Sequence, residues 1–233
     1  MRKVGIISQF AVRSSQFAVR SGLSRLRNLY RKIFSYPFKL YNRFRLKNNN
    51  LSIIAKDCVG GVIMHDLGLR FDTPTVNLWF NASDFIKFCR DMKYYITENL
   101  REDHNSEMDY PVGLLGRNDR QIKIYFMHYD SFAQAREKWY ERISRIHWDN
   151  LYIIMTDREG CDEEQAREFD ALPYEHKALL TYRDFQDIKS SVKLDSCGVV
   201  SNDSEPPNVL SYPSAYSFRR IIDHWDYVSF LNS

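Results

Sequence analysis

Residues 121–157, QIKIYFMHYDSFAQAREKWYERISRIHWDNLYIIMTD, hold three signals in succession. QIKIYFM alternates and then runs continuously apolar, as a strand does. SFAQAREKWYERISRIHW follows with Phe132, Ala135, Trp139, Ile143 and Ile146 at steps of three and four, the spacing of one helical face. Asp149 and Asn150 stop that helix, and LYIIM is a short apolar run of the kind found in a buried strand. Strand, helix and strand of these lengths predict a β-α-β unit with a right-handed parallel crossover. Ligands of open α/β sheets bind beyond the carboxyl ends of the strands. His128, Tyr129, Thr156 and Asp157 are expected at those ends.

Before this unit, LSIIA (51–55) predicts a first strand, and Lys56, Asp57, Cys58, Val59, Gly60 and Gly61 form a glycine-bearing turn behind it. Backbone N–H groups in such a turn can approach a phosphate, although a glycine pair after a strand is commonly only a tight turn. FDTPTVNLWF reads as extended with Pro74 at an edge, and SDFIKFCRDMKYYITENL as a helix capped by Asn81 or Ser83 that buries Cys89. Residues 101–120 read as loop. After the unit, HKALLTY and VKLDSCGVV predict strands, YRDFQDIKS a brief helix, residues 201–214 a loop, and FRRIIDHWDYVSFLN a closing amphipathic helix. The fold class is therefore α/β, a mostly parallel sheet flanked by helices in two unequal parts.

The net charge of +3 conceals an asymmetry: residues 1–50 carry twelve Lys and Arg and no Asp or Glu, so the remainder is net acidic. The chain divides into a basic amphipathic leader, 1–50, and an α/β domain, 51–233. SQFAVRS occurs at 8–14 and again at 15–21, too few copies for a solenoid. Leu23, Leu26, Leu29, Tyr30, Ile33 and Phe34 share a helical face, and Pro37 is expected to end or kink that helix. YPFKLYNRFRLK then alternates aromatic and basic residues up to a hinge at Asn48–Asn50. Aromatic side chains suit the headgroup region and Lys and Arg suit anionic lipid, so residues 1–47 are a candidate anchor to an anionic membrane surface; a partner-binding arm or a solvated helix is the alternative. No run approaches the roughly 18 apolar residues of a membrane span, and arginines interrupt the leader too often for a secretory signal. Four cysteines far apart, with no C-x-x-C pair, fit a reducing, cytoplasmic setting, and the basic leader adds the expectation of a peripheral place on the inner face of the plasma membrane.

Several pieces together resemble one family. They are LSIIA leading into D-C-V-G-G, the T-P-T segment with S-D-F-I-K-F, Y-P-V-G-L-L, residues 126–151, the T-D-R-E-G-C turn and F-D-A-L-P-Y-E-H-K. The chain looks like a member of the bacterial capsular and exopolysaccharide biosynthesis family catalogued as domain of unknown function 1919. The resemblance spans about Leu51 to Asn232. It implies a two-part α/β fold and a place in surface-polysaccharide assembly, and carries no established reaction. The family pattern has Asn before the cysteine and Trp after it, where this chain has Asp57 and Val59.

His128 is the first candidate for catalysis, because an imidazole beside Tyr129 and Asp130 can take a proton from a sugar hydroxyl; the alternative is a histidine held by a backbone carbonyl. Asp157 could orient it, bind a metal-nucleotide or cap the following helix. Arg142 and Arg145 could fork a phosphate or carboxylate, or belong to a solvated helix face. Asp57, Cys58, Gly60 and Gly61 are the candidate donor-binding turn, with Cys58 either an activated thiolate or a buried side chain. Trp139 and Trp148 are expected in the core. The expected function is a transferase acting on a nucleotide-sugar, other phosphorylated donor or activated acyl donor and a glycan or lipid-linked acceptor; a non-catalytic accessory of the assembly machinery is the alternative. No D-x-D occurs to support a metal, no cofactor is specified, and no nucleic-acid recognition motif is present.

Overall fold

The computed structural model describes residues 4–199 and 205–233, and side chains from Leu23 onward; the SQFAVRS repeat lies outside the described side chains. A long first helix, α1 (Val4–Arg45), precedes a parallel sheet built from β1 (Ser52–Ala55), β5 (Leu151–Thr156), β6 (His176–Thr181) and β7 (Ser191–Lys193) in the order β1-β5-β6-β7. A second, antiparallel sheet holds β2 (Arg101–Glu102), β3 (Val112–Leu115) and β4 (Ile122–Tyr125). The remaining helices are α2 (Val59–Leu67), α3 (Ala82–Arg90), α4 (Met92–Thr97), α5 (Phe132–Ile143), α6 (Glu163–Asp170) and α7 (Tyr227–Leu231).

Side chains of the parallel strands alternate between two cores, as a period of two requires. Ile54, Ile153, Met155 and Leu179 face one, with α3, α5, α6 and the antiparallel sheet. Ile53, Tyr152, Ile154 and Leu180 face the other, with α2 and the C-terminal segment. Phe80, Phe85, Phe88, Phe126 and Trp139 fill the first core; burying each phenyl ring contributes about 1.5–3 kcal/mol.

The expected β-α-β crossover is not formed. β4 pairs with β3 antiparallel, whereas β5 lies between β1 and β6, so α5 links two different sheets. The physical reason is visible in burial: Ile122 and Ile124 point inward and Lys123 outward, the habit of a strand with one wet face, while every residue from Tyr152 to Thr156 is buried. Residues 101–120, expected as loop, contain β2 and β3.

Other local corrections follow from packing. The helix expected from Ser83 breaks at Asp91 into α3 and α4, and the predicted closing helix is a 3-10 turn (Ile221–His224) followed by α7. No helix forms over 182–190. Pro37 stands inside α1, which continues to Arg45. Asn48, expected in a hinge, is tied down: its Nδ2 donates to Tyr152 Oη at 3.0 Å and to Leu231 O at 3.0 Å. Trp148 is exposed.

Candidate active site

At the carboxyl end of β1 the chain runs through Lys56, Asp57 and Cys58 into α2. Lys56 is wholly buried, and its Nζ donates to Arg158 O and Glu159 Oε2, both at 2.6 Å. Asp57 Oδ1 accepts from Val59 N and its Oδ2 from Thr156 Oγ1. Asp157 Oδ2 accepts from Thr181 Oγ1 and Tyr182 N, and its buried Oδ1 has no hydrogen-bond partner among the described residues. These bonds tie the ends of β1, β5 and β6 together. Asp157 thus belongs to this belt and caps no helix; Asp162 caps α6, accepting from Glu164 N and Gln165 N.

Beside the belt lies a hollow of about 460 Å³. The first turns of α2 supply Cys58, Gly61, Val62 and His65, the following loop Phe71 and Asn77, and the loop after β4 His128. The glycine-bearing segment, expected as a turn, is the first turn of α2, and it shares this hollow with His128, which β4 delivers from the antiparallel sheet. A tight turn, with Tyr129 N donating to Phe126 O, leaves the His128 ring exposed and sends Tyr129 inward. Asn77 adopts φ +63°, a left-handed conformation that asparagine tolerates better than most residues.

Tyr129 is a brace. Its hydroxyl donates to Val76 O at 2.9 Å and accepts from Arg142 Nη1 at 2.7 Å, and the Arg142 guanidinium stands 5.6 Å from the Phe71 ring centre. Burial raises the Tyr129 hydroxyl above the usual phenol range, with Arg142 pulling the other way. Together they fix the 71–77 loop that walls the hollow. Arg145, just past the end of α5, pairs with Glu141 four residues earlier and is not among the hollow's lining residues.

Gly60 serves packing. A Cβ there would sit 2.7 Å from Ala55 Cβ, so the missing side chain is what lets α2 lie against β1. Cys58 is not an activated thiolate: burial, with Asp57 and Glu159 nearby, pushes its thiol up to about 12, and its Sγ faces Leu78 O at 3.9 Å.

Sequence spacing gave no sign of the hollow's ionic floor. Asp66, almost fully buried on α2, receives Lys39 Nζ at 2.8 Å and the Arg220 guanidinium, which also bonds Asp223. Burial alone would raise the Asp66 carboxyl, but Arg220 and Lys39 hold it below the usual carboxylate range. His65 Nδ1 lies 3.2 Å from Asp66 Oδ1 with its ring largely exposed. An aspartate inside the mostly apolar VGGVIMHDL was the available clue, since a buried acid requires partners. Among the described residues no group of three or more His, Cys, Asp or Glu is placed to hold a metal ion.

A family model described as Domain of unknown function (DUF1919) matches residues 29–232, beginning within α1. An uncharacterized protein of Haemophilus influenzae strain Rd is 34% identical over 188 residues, which cover 81% of this chain and 87% of that protein.

Proposed function

The chain belongs to the DUF1919 family, and from that premise we propose a transferase of bacterial capsular or exopolysaccharide biosynthesis that carries a sugar or acyl group from a phosphorylated donor to a glycan or lipid-linked acceptor. One observation carries this reading: the exposed His128 imidazole and the first turn of α2 face a single hollow that also holds Lys39. The polysaccharide setting rests on the family resemblance.

Each part has a chemical task. His128 takes the proton of the acceptor hydroxyl as that oxygen attacks the transferred group. The bond to the donor's leaving atom breaks, a phosphate oxygen in a nucleotide sugar or the thioester sulfur in a coenzyme A ester, and that atom departs with the electron pair as an anion. The start of α2, whose first amides have no partner within the helix, and Lys39 favour that charge. Tyr129 and Arg142 position the wall, and the belt of Asp57, Thr156 and Asp157 keeps the strand ends rigid.

The accessory reading keeps one specific support, since Lys39, Arg220 and Asp66 already satisfy one another. Thermal unfolding with nucleotide sugars, nucleotides and coenzyme A esters separates the two. A ligand at 100 times its Kd raises stability by about 2.7 kcal/mol, and a donor that does so for the native chain but not for a Lys39→Ala variant supports the transferase. No shift with any of the three classes counts against it.

A further inference from the structure

The outer face of α1 has a pattern that the body leaves uncovered. Leu26, Leu29, Ile33, Tyr36, Leu40 and Phe44 recur at steps of three and four, and each is 36–80% exposed. Such spacing places all six on one side of a helix. The opposite side is seated on the body: Ser35, Asn42 and Leu46 are buried, and Asn42 Nδ2 donates to Tyr227 Oη at 3.1 Å. Arg31 donates to the backbone oxygens of Ser214 and Ser217, and Arg43 Nε to Asp66 O at 2.8 Å. These contacts fix the helix's rotation, so the apolar row points outward as a built feature.

Charge identifies what covers it. Arg25 and Lys32 are exposed along one edge of the row, Arg27 is exposed farther round the same turns, and no Asp or Glu occurs anywhere in residues 1–50. An apolar stripe edged by cations, with tyrosine and phenylalanine at its margin, matches a bilayer whose headgroups are anionic. No described helix is long and apolar enough to cross a membrane, which leaves the orientation in the plane of the interface.

We infer that α1 lies along an anionic lipid surface with Leu26, Leu29, Ile33, Tyr36, Leu40 and Phe44 inserted, and that it holds the body there in one orientation. The inference stands on this face alone and is independent of the chemistry proposed for the hollow. It has a geometric corollary: Lys39, on the flank of the same helix, lines the hollow, so the hollow lies within about one helix diameter, roughly 10 Å, of the headgroups.

The test is sedimentation of the full chain with vesicles of phosphatidylcholine alone and of phosphatidylcholine mixed with phosphatidylglycerol. The native chain is expected to pellet with the mixed vesicles and to remain in solution with the neutral ones. The triple substitution Ile33→Glu, Leu40→Glu and Phe44→Glu should abolish pelleting while leaving the unfolding midpoint unchanged, because all three side chains are exposed. Arg25→Gln with Arg27→Gln and Lys32→Gln should weaken binding roughly a hundredfold, each cation contributing about a kcal/mol at such a surface. A native chain that ignores both vesicles overturns the inference. So does a triple-Glu variant that pellets like the native chain, or a native dimer, separated by that variant, that binds no vesicles.

Discussion

Lys56 Nζ lies 2.6 Å from Glu159 Oε2, and the lysine is wholly buried while the glutamate keeps a quarter of its side chain in solvent. The ammonium is the more desolvated partner, so the pair is bound to the fold through Lys56. Glu159 holds a left-handed backbone, φ +48°, at the same place. Lys56→Ala removes one partner and opens a cavity, and should cost about 3–5 kcal/mol. Lys56→Met keeps the stem's volume and should cost less. Urea midpoints at unchanged slope measure both, and an alanine variant as stable as the native chain contradicts the role given to this pair.

Gly60→Ala sets helix propensity against space. Alanine gains up to about 1 kcal/mol inside a helix. Its Cβ would meet Ala55 Cβ at 2.7 Å and Ile53 Cγ2 at 3.1 Å, and overpacking of that kind costs about 1–3 kcal/mol. The clash is expected to win. The variant should unfold at lower urea, and Gly60→Val at lower urea still; a stabilised Gly60→Ala would show that α2 is free to move off β1.

The seating of α1 should loosen in acid. Asp66 has a folded-state value below its unfolded one, so its contribution is full above the ordinary carboxylate range, about pH 4, and is lost as pH falls through the depressed value. Asp226, hydrogen-bonded by Arg45, is lowered to about 2 and behaves in the same sense, weakly, because it is largely exposed. Amide exchange in α1 should therefore rise between pH 4 and pH 2 before the parallel sheet responds. In Asp66→Asn the same exchange should already be raised at pH 7 and should change less on acidification.

Cys58 should resist alkylation. With its thiol at about 12, only about one molecule in 10,000 is a thiolate at pH 8, against about a quarter for an ordinary cysteine. Iodoacetamide labelling followed by peptide mapping should show Cys58 reacting roughly a thousandfold more slowly in the folded protein than after denaturation. Fast native labelling would restore the nucleophile reading.

His128→Ala should change the free energy of unfolding by no more than about 0.5 kcal/mol, as exposed positions usually do, and, on the proposed chemistry, abolish polymer modification in cells. Lost modification in a folded variant supports a base at this position. Unchanged polymer composition assigns His128 no part in chemistry.

Legibility from sequence followed burial. LYIIM announced a strand covered on both faces, and the helix expected over residues 131–148 was marked by its own periodicity; it ends at Ile143, short of Asp149 and Asn150, and Ser131 caps its start. The partner of Ile122–Tyr125 was not written locally. The strand's alternation was visible, but pairing with Val112–Leu115 depends on a segment whose glycine and turn residues imitate a loop. The site divided the same way. His128, Cys58 and Gly61 could be named from residue type and neighbours, and the fold joins them in one hollow. Lys39 and Arg220 could not, because they meet at Asp66 from opposite ends of the chain.

That separation has a consequence for biosynthesis. Asn232 accepts from the amides of Lys47 and Asn48 and donates to Arg45 O, and Asn42, Arg31 and Arg45 all reach residues beyond 210. α1 therefore waits for residues 185 positions further along the chain before this part of its seat exists. Until those residues are made α1 lacks this part of its dock, so the lipid contact inferred for its outer face would be open to a nascent chain before the body has closed around it.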